Sequence, residues 1–372
     1  MTDPSACGKA CQFIKPNYPS SETTVHGRAA QATGDEQFFG VIQTMYRAAL
    51  TSARAGAQWT GLTTRFAEKL LETGAVDAVL TMVPDETDKW RPRPALITDP
   101  ADMQYARGMR MGYAPLLALL EPALTAGHRK IAVIGIPCQI YALRAMEANL
   151  GFDRIYVIGT PCSDNTTTEN FHSFLARLTN APETVTYLEF RADYHVELRF
   201  TDGSQRLIPF LKLPLSELSS DFFPTTCRTC VDYTNRLADI TVGYMAGEGD
   251  QWLIVRNDRG AEMLKSLGDE VTLAPRIKRQ TCWLCQRFHR KHPTGGWRLT
   301  FAPDAGLAAG DHGLADAPDW PSWPRIRPRA CRNESRRNHP APAARRTRQD
   351  QEHGARARLE PRRALRANTQ TG

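Results

Sequence analysis

The chain has 372 residues, 41% of them hydrophobic, so it is long enough for one large α/β core or two modest domains. Its formal charge of +7 would suit a nucleic-acid partner, but residues 276–372 carry 21 Lys and Arg against 8 Asp and Glu, which leaves a charge of −6 on the rest. The body is therefore mildly acidic and does not imply a nucleic-acid partner, so none is expected. No apolar run approaches the ~20 residues of a membrane span and no signal peptide is recognisable, so we expect a cytoplasmic protein without a transmembrane segment.

The first predicted elements are helical. Residues 1–34 contain Cys, Pro and Ser without sustained periodicity, which indicates an irregular segment. From Phe38 to Leu50 the apolar spacing predicts a helix, and a second helix is predicted from Gly61 to Glu72.

Short apolar runs then alternate with helical patterns, which is typical of an α/β sheet. Buried parallel strands are predicted at 76–83, 131–136 and 155–158, and helices near 115–124, 139–150 and 168–178. Later predicted elements are an antiparallel hairpin at 185–190 and 195–200, strands at 240–245 and 252–256, and a helix near Asp258, which suits an N-cap. The predicted body covers residues 35–275.

Residues 276–372 differ in composition from the body. Arg, Ala, Pro, Gly and His dominate, aliphatic residues are scarce, and no helical or strand period is present. One interpretation is a disordered basic tail. We favour another, a shifted reading frame, because out-of-frame GC-rich DNA tends to encode Arg, Ala, Pro and Gly.

Four of the nine cysteines lie in the predicted body. Cys138 and Cys162 directly follow predicted strands, where open α/β sheets bind ligands, and Cys227 and Cys230 form a CxxC pair. Four thiolates suit one 4Fe-4S cluster, and we prefer this interpretation to a structural zinc site, which usually draws on two paired knuckles, or to buried thiols without a ligand.

Cysteines also occur at both ends of the chain. Cys7 and Cys11 form a CxxxC pair, which has too few thiolates to hold a cluster alone. Two interpretations stay open: a pair without a ligand, or part of a second cluster site. No role is assigned to the remaining cysteines, Cys282, Cys285 and Cys331.

Seven segments carry a resemblance to a known family. They are VHGRA (25–29), FFGVIQTMYRAAL (38–50), GAQWTGLTT (56–64), ARGMRMGYAP (106–115), GIPCQIYALRAM (135–146), IGTPCSDN (158–165) and CRTCVDYTNRLADITVGYM (227–245). In this order they resemble the coenzyme F420 hydrogenase/dehydrogenase β-subunit family, and within it the ferredoxin-dependent reductases of chlorophyll pathways.

The resemblance implies FAD beside a 4Fe-4S cluster carried by Cys138, Cys162, Cys227 and Cys230. It also implies a second cluster near the N-terminus. The motif for that cluster begins in relatives with a CxxCG that this sequence lacks, and only Cys7 and Cys11 match its later part. We therefore expect the coding sequence to start further upstream. The expected fold is an α/β mixed-sheet flavin-binding domain with a partial ferredoxin-like iron-sulfur segment (1–34) and a disordered or aberrant C-terminal tail.

The activity that the resemblance implies is reduction of the 8-vinyl group of divinyl (proto)chlorophyllide with reduced ferredoxin, in (bacterio)chlorophyll biosynthesis. Since ferredoxin delivers single electrons and this reduction needs two, a flavin must accumulate the pair. Alternatives are reduction of 7-hydroxymethyl chlorophyll a, an electron-transfer component that reduces a deazaflavin, and, from another class, a zinc-stabilised nucleic-acid-binding protein. The proton donor and the oligomeric state are not predicted.

Four segments contain the candidate cofactor-binding residues. The GAQWTGLTT turn enters a helix whose N-terminus could receive a flavin diphosphate, although an ordinary capped helix with Trp59 in the core is the alternative. Arginines of the ARGMRMGYAP segment could bind phosphate or a propionate, and its methionines could line a macrocycle; a loop with solvated arginines is the alternative. Polar residues after Cys162 and after the CxxC pair could bind flavin, orient cluster loops or simply cap turns. The predicted cofactor-binding residues are Trp59, Thr60, Gly61, Thr63, Arg110, Tyr113, Asp164, Asn165, Asn235 and Asp239.

Overall fold

A computed structural model describes residue 8 and residues 10–191, 193–243 and 250–275. Residues 276–372, which include the predicted tail, and Cys7 lie outside the described residues.

The described residues form eleven strands in two sheets. The strands are β1 (Thr44–Leu50), β2 (Ala78–Pro84), β3 (Pro92–Ile97), β4 (Lys130–Gly135), β5 (Arg154–Gly159), β6 (Val185–Phe190), β7 (His195–Phe200), β8 (Gln205–Pro209), β9 (Ile240–Gly243), β10 (Gln251–Val255) and β11 (Val271–Pro275).

Helices connect most of these strands. The α-helices in the described ranges are Tyr18–His26, Glu36–Phe39, Leu62–Glu72, Leu120–Thr125, Pro137–Met146, Thr168–Leu178, Thr225–Arg228 and Asp258–Leu267. The 3-10 helices there are Pro100–Ala106, Leu116–Leu119, Glu147–Asn149, Pro182–Thr184, Phe210–Lys212, Leu215–Glu217 and Gly268–Glu270.

The large sheet is mixed, with strand order β11-β1-β10-β9-β5-β4-β2-β3. Its four central strands β2, β4, β5 and β9 run parallel, and the flanking strands are antiparallel to their neighbours. Alternate residues of the central strands enter two separate cores: Val79 packs beside the helix Leu62–Glu72 on one face, and Leu80 packs beside the helix Pro137–Met146 on the other. Because both faces are covered, these strands are nearly continuous apolar runs, as buried parallel strands are.

A second, three-stranded sheet of β6, β7 and β8 is antiparallel. Its core contains Leu188 and Val196, and the helix Thr168–Leu178 supplies Phe171 and Leu175 to the same cluster. Trp90 joins this cluster from the loop before β3, so the small sheet packs onto the segment that follows β2.

The prediction of a mixed α/β sheet is confirmed, and most predicted elements lie within a few residues of their predicted bounds. The helix predicted from Phe38 to Leu50 is wrong. A short helix ends at Gly40, where φ is +77°, and residues 44–50 form β1. The core-facing residues Tyr46, Ala48 and Leu50 alternate with period two, and β1 pairs on both sides with strands more than 200 residues later in the chain, which a local apolar spacing does not reveal.

Several smaller expectations also differ from the structure. The helix Tyr18–His26, β3, β8 and β11 were not predicted. The helix near Asp258 is capped by Asn257 instead, whose side chain accepts the Gly260 N–H. Within the described ranges, no helix has both the length and the apolar character needed to cross a membrane.

Candidate functional site

The four cysteines of the body come together at one edge of the large sheet. β4 and β5 are parallel and in register up to Gly135 and Gly159, so the residues after both strands emerge at the same edge. Cys138 lies in the first turn of the helix after β4 and Cys162 follows β5, where its N–H donates to the Tyr233 carbonyl at 3.0 Å. The Cys227 sulfur lies 3.8 Å from the Asn165 carbonyl oxygen. All four are half-buried and free of disulfide bonds.

The thiols influence one another's ionisation. Burial, with a smaller contribution from the charges of Cys227 and Cys230, raises the pKa of Cys138 to about 11. Burial and the charges of the other three cysteines raise the pKa of Cys162 to about 12. Burial also raises the pKa of Cys227. The surroundings of Cys138, Cys162 and Cys227 therefore favour the protonated form of their thiols, and metal coordination displaces such protons.

In the described ranges, no three side chains of His, Cys, Asp and Glu are arranged to hold a single metal ion. The 4Fe-4S cluster on Cys138, Cys162, Cys227 and Cys230 stays a prediction. Cys11 is half-buried and also free of a disulfide bond, and the second cluster predicted at the N-terminus stays a prediction as well.

Asn235 ties together the two strand ends that lead to cysteines. Its side-chain amide donates to the Gly135 carbonyl at 2.8 Å and to the Thr160 carbonyl at 3.3 Å. Asn235 has a φ of +60°, a conformation that Asn tolerates better than most residues. The Asn235 side chain lies so close to the backbone of residue 159 that only glycine fits there, since a Cβ on Gly159 would lie 2.7 Å from Asn235 Cγ. Asn235 therefore orients the loops of Cys138 and Cys162.

Asp239 lies at the centre of a buried polar network. Its carboxylate accepts hydrogen bonds from Arg144 (2.8 Å), Arg259 (2.8 Å), Asn257 (2.7 Å) and the Val157 N–H (2.7 Å). The side chain is completely buried, and the charges of Arg144 and Arg259 outweigh that burial and lower its pKa. These bonds use most of the acceptor capacity of a carboxylate, so Asp239 joins β5 to two helices; its role as a cofactor ligand stays a prediction.

The predicted flavin turn at residues 56–64 is a tight loop before the helix Leu62–Glu72. Trp59 and Gly61 have positive φ values of +54° and +86°. The Thr60 hydroxyl accepts the Leu50 N–H at 3.1 Å, which fixes the turn to the end of β1. No side chain caps the helix and no acidic residue lies in its first turn, to which Thr63 belongs. An uncapped helix N-terminus favours a bound anion.

The arginine loop at residues 107–113 packs onto this turn. Arg107 donates to the Ala55 carbonyl at 3.3 Å and forms an ion pair with Glu68 at 2.9 Å. The Arg110 guanidinium instead donates to backbone carbonyls of its own loop, the shortest being that of Tyr105 at 2.7 Å. No carboxylate in the described ranges pairs with Arg110, and burial lowers its pKa to about 10. The loop therefore holds an uncompensated positive charge beside the turn.

Tyr113 joins the arginine loop to the cysteines. Its hydroxyl donates to the Asn165 carbonyl at 3.0 Å, and the Asn165 amide donates back to the Gly112 carbonyl at 2.9 Å. Burial, with the charges of three cysteines, raises the pKa of Tyr113 to about 12. Burial also raises the pKa of Asp164. The arginine loop thus connects the segment that enters the turn, through Arg107 and Ala55, with Asn165 beside Cys227, through Tyr113.

Met109 and Met111, the methionines of the ARGMRMGYAP segment, are partly buried and pack against the core of the small sheet. His26 bonds the Arg236 carbonyl at 2.9 Å, and burial lowers its pKa to about 4, so it is neutral at pH 7.

Sequence reasoning missed Gln12, whose side-chain amide lies 3.5 Å from the Cys230 sulfur. It also missed Tyr18, whose hydroxyl bonds Gln12 at 3.0 Å. Gln12 follows Cys11 directly, but no motif marks it as a neighbour of a residue 218 positions away.

Comparison with known proteins identifies the class to which this chain belongs. Two profiles of the coenzyme F420 hydrogenase/dehydrogenase β subunit match, one for its N-terminal part at residues 45–121 and one for its C-terminal part at residues 128–288. The chain belongs to this family, as its sequence motifs predicted.

The relatives include oxidoreductases. An uncharacterized protein of Nostoc sp. is 38% identical over 269 residues, which cover 72% of this chain and 68% of that protein. The chloroplastic 7-hydroxymethyl chlorophyll a reductase of Oryza sativa subsp. japonica is 38% identical over 267 residues, or 68% of this chain but only 56% of the reductase. The β subunit of coenzyme F420 hydrogenase from Methanosarcina barkeri is 26% identical over 220 residues, which cover 56% of this chain and 72% of that protein.

The fold has a counterpart among solved structures. A chain of the F420-reducing [NiFe] hydrogenase complex from Methanosarcina barkeri superposes with a TM-score of 0.58 at 20% identity, covering 69% of this chain and 90% of that chain. At this identity the similarity supports the fold alone.

Proposed function

We propose that this chain is an iron-sulfur flavoprotein that reduces a chlorophyll-type tetrapyrrole with electrons from reduced ferredoxin. The observation that best supports this proposal is the continuity of three groups of residues. Arg107 in the loop of Arg110 donates to Ala55 at the entrance of the turn, and Tyr113 of the same loop lies near Cys138, Cys162 and Cys227. Such a path would place a flavin beside a redox cluster.

The cysteine group fits an iron-sulfur cluster by its donor chemistry. Its four members are sulfurs with no disulfide bond among them, and their loops are fixed to one another by backbone and Asn235 hydrogen bonds. Iron-sulfur clusters are held by four cysteine thiolates, as these residues would provide.

The turn and the arginine loop fit the diphosphate of FAD. Arg110 carries a positive charge that no described carboxylate neutralises, and the helix from Leu62 begins without a side-chain cap. Both features favour an anion. When bound, FAD and the cluster would supply two-electron and one-electron chemistry respectively. The chain itself would bind the phosphates, orient the cysteine loops through Asn235, and cover the space between them with Tyr113.

Two reactions are candidates. We favour reduction of the 8-vinyl group of divinyl (proto)chlorophyllide. The Arg, Ala and Pro of residues 276–372 indicate GC-rich DNA, which suits a bacterial gene. Reduction of 7-hydroxymethyl chlorophyll a is the second candidate, and the observation that favours it is the 38% identity to the rice reductase. Assay of both pigments with reduced ferredoxin distinguishes the two reactions.

The first test is composition of the purified protein. We expect an anaerobic absorption spectrum with flavin bands over an iron-sulfur shoulder, and about four irons and four sulfides per chain for one 4Fe-4S cluster. Iron, acid-labile sulfide, zinc and flavin are measured on one sample. A colourless protein that contains stoichiometric zinc would contradict the proposal.

Substitution of Arg110 by methionine tests the flavin site. We expect Arg110→Met to weaken flavin binding by about tenfold to a hundredfold, since a hydrogen bond to a charged group contributes about 1.5–3 kcal/mol. The free energy of unfolding of the flavin-free protein should also fall, by about 1–3 kcal/mol, because the Arg110 guanidinium donates to backbone carbonyls of its own loop, so flavin affinity is compared under conditions in which both proteins are folded. Flavin affinity is measured by titration of the flavin-free chain.

Arg129→Met is the matched control. Arg129 also donates to backbone carbonyls, those of Leu124 and His128, but it precedes β4 and therefore lies at the opposite edge of the sheet. Flavin affinity should be unchanged in this variant. Equal affinity in Arg110→Met and the unmodified chain would refute the role of Arg110.

A further inference from the structure

Gln12 contacts the cysteine group from a distant part of the chain. Its side-chain nitrogen lies 3.5 Å from the Cys230 sulfur, across 218 positions of sequence. Gln12 is only 7% exposed and Cys230 is half-buried, so this contact is partly shielded from water. A hydrogen bond in such surroundings is stronger than one at the surface.

A second contact fixes the orientation of the Gln12 amide. The Tyr18 hydroxyl donates to Gln12 Oε1 at 3.0 Å, and the Tyr18 ring is itself buried. A thiolate sulfur accepts hydrogen bonds and donates none, so the amide nitrogen must face Cys230 and its oxygen must face Tyr18. Gln12 is therefore held with an N–H directed at the sulfur.

The N-terminal segment is also anchored to the residues after the CxxC pair. Glu22 pairs with Arg236 at 2.8 Å, and the Arg236 guanidinium lies 5.3 Å from the centre of the Tyr18 ring. The Arg236 N–H donates to the Asp232 carboxylate at 3.1 Å. These contacts are independent of Gln12, so they keep the segment in place when the Gln12 side chain is changed.

We propose that Gln12 is a positioning residue that raises the reduction potential of the cluster held by Cys230, through its hydrogen bond to the Cys230 sulfur. This inference rests on the proposed iron-sulfur function. A hydrogen bond to a ligand sulfur stabilises the reduced cluster, which carries more negative charge, over the oxidised one. Gln12 belongs to the N-terminal segment and directly follows Cys11. The packing of this segment against the body would therefore influence the reduction potential of the body cluster.

The test is a redox titration of the complete, cluster-loaded protein, monitored by electron paramagnetic resonance. We expect Gln12→Leu to retain its iron and sulfide while its cluster becomes harder to reduce by up to about tenfold, a shift of about −59 mV for a one-electron couple. Gln43→Leu is the control, since the Gln43 amide donates to Asp258 at 3.3 Å and contacts no cysteine. Its potential should equal that of the unmodified protein.

A second variant keeps the test decisive if Gln12→Leu loses its cluster. Tyr18→Phe retains the ring but removes the hydroxyl that orients Gln12, so we expect a smaller shift in the same direction. A full cluster whose potential is unchanged in both variants overturns the inference and leaves the proposed function standing. An unmodified chain that contains no acid-labile sulfide overturns both.

Discussion

Replacement of Cys227 by serine is expected to remove the iron-sulfur absorbance and nearly all iron and sulfide from the purified protein. Cys227 begins the CxxC pair, and its sulfur lies 3.8 Å from the carbonyl of Asn165, in the loop after Cys162. Three thiolates leave one iron of a 4Fe-4S cluster without its protein ligand, and a serine hydroxyl replaces a thiolate poorly. Activity with reduced ferredoxin should be lost with the cluster.

Cys331→Ser is the matched control for this experiment. Cys331 lies beyond the family match, which ends at residue 288, and the sequence assigns it no role. Its iron and sulfide content should equal that of the unmodified chain. If Cys227→Ser retains about four irons per chain, Cys227 is not a ligand and the four-cysteine assignment fails.

Much of the sheet could be predicted from the sequence. The three parallel strands β2, β4 and β5 are short apolar runs between helical patterns, and both faces of the sheet are covered by helices. The hairpin of β6 and β7 has the predicted bounds because its polar and apolar residues alternate around a short turn. These patterns depend only on residues close together in the chain, so they can be recognised in a single sequence.

The strands at the other end of the sheet could not be predicted in the same way. β1 contains apolar residues at spacings that also suit a helix, and its assignment as a strand depends on pairing with β10 and β11. β11 itself is short and mostly exposed, so its residues carry little periodic signal. Non-local pairing outweighs local preference at these positions.

The candidate site shows the same division. Cys138 and Cys162 could be placed together because parallel strands end at one edge. The contact of Gln12 with Cys230 and the enclosure of Asp239 by two arginines depend on how distant segments pack. A polar residue after a strand is compatible with a ligand site and with a buried network, and only the packing distinguishes the two.

Asp239→Asn is expected to destabilise the fold by about 3–5 kcal/mol at pH 7, because removing one member of a buried ion pair leaves the other charge uncompensated. Arg144, whose side chain is 1% exposed, would retain only Glu147 as an acidic partner in the described ranges. The loss is a large part of the roughly 5–15 kcal/mol by which domains are stable. Urea unfolding at pH 7 measures it.

The control is Glu217→Gln, which breaks the exposed ion pair of Glu217 with Arg177. A surface pair contributes at most about 1 kcal/mol, so this variant should remain close to the unmodified protein. If the free energy of unfolding of Asp239→Asn is also close to that of the unmodified protein, the buried network does not need the negative charge of Asp239.

The pH dependence gives a separate check on Asp239. Its arginine partners lower its pKa in the folded protein below the value of about 3.9 that an unfolded Asp has. The carboxylate therefore contributes its full stabilisation above about pH 4, and this contribution is lost as the pH falls through the folded pKa. Asparagine does not titrate, so the difference in free energy of unfolding between the unmodified protein and Asp239→Asn should be constant from pH 7 to about pH 4 and shrink below it. A difference that instead grows as the pH falls would mean that another titrating group controls the acid stability of the network.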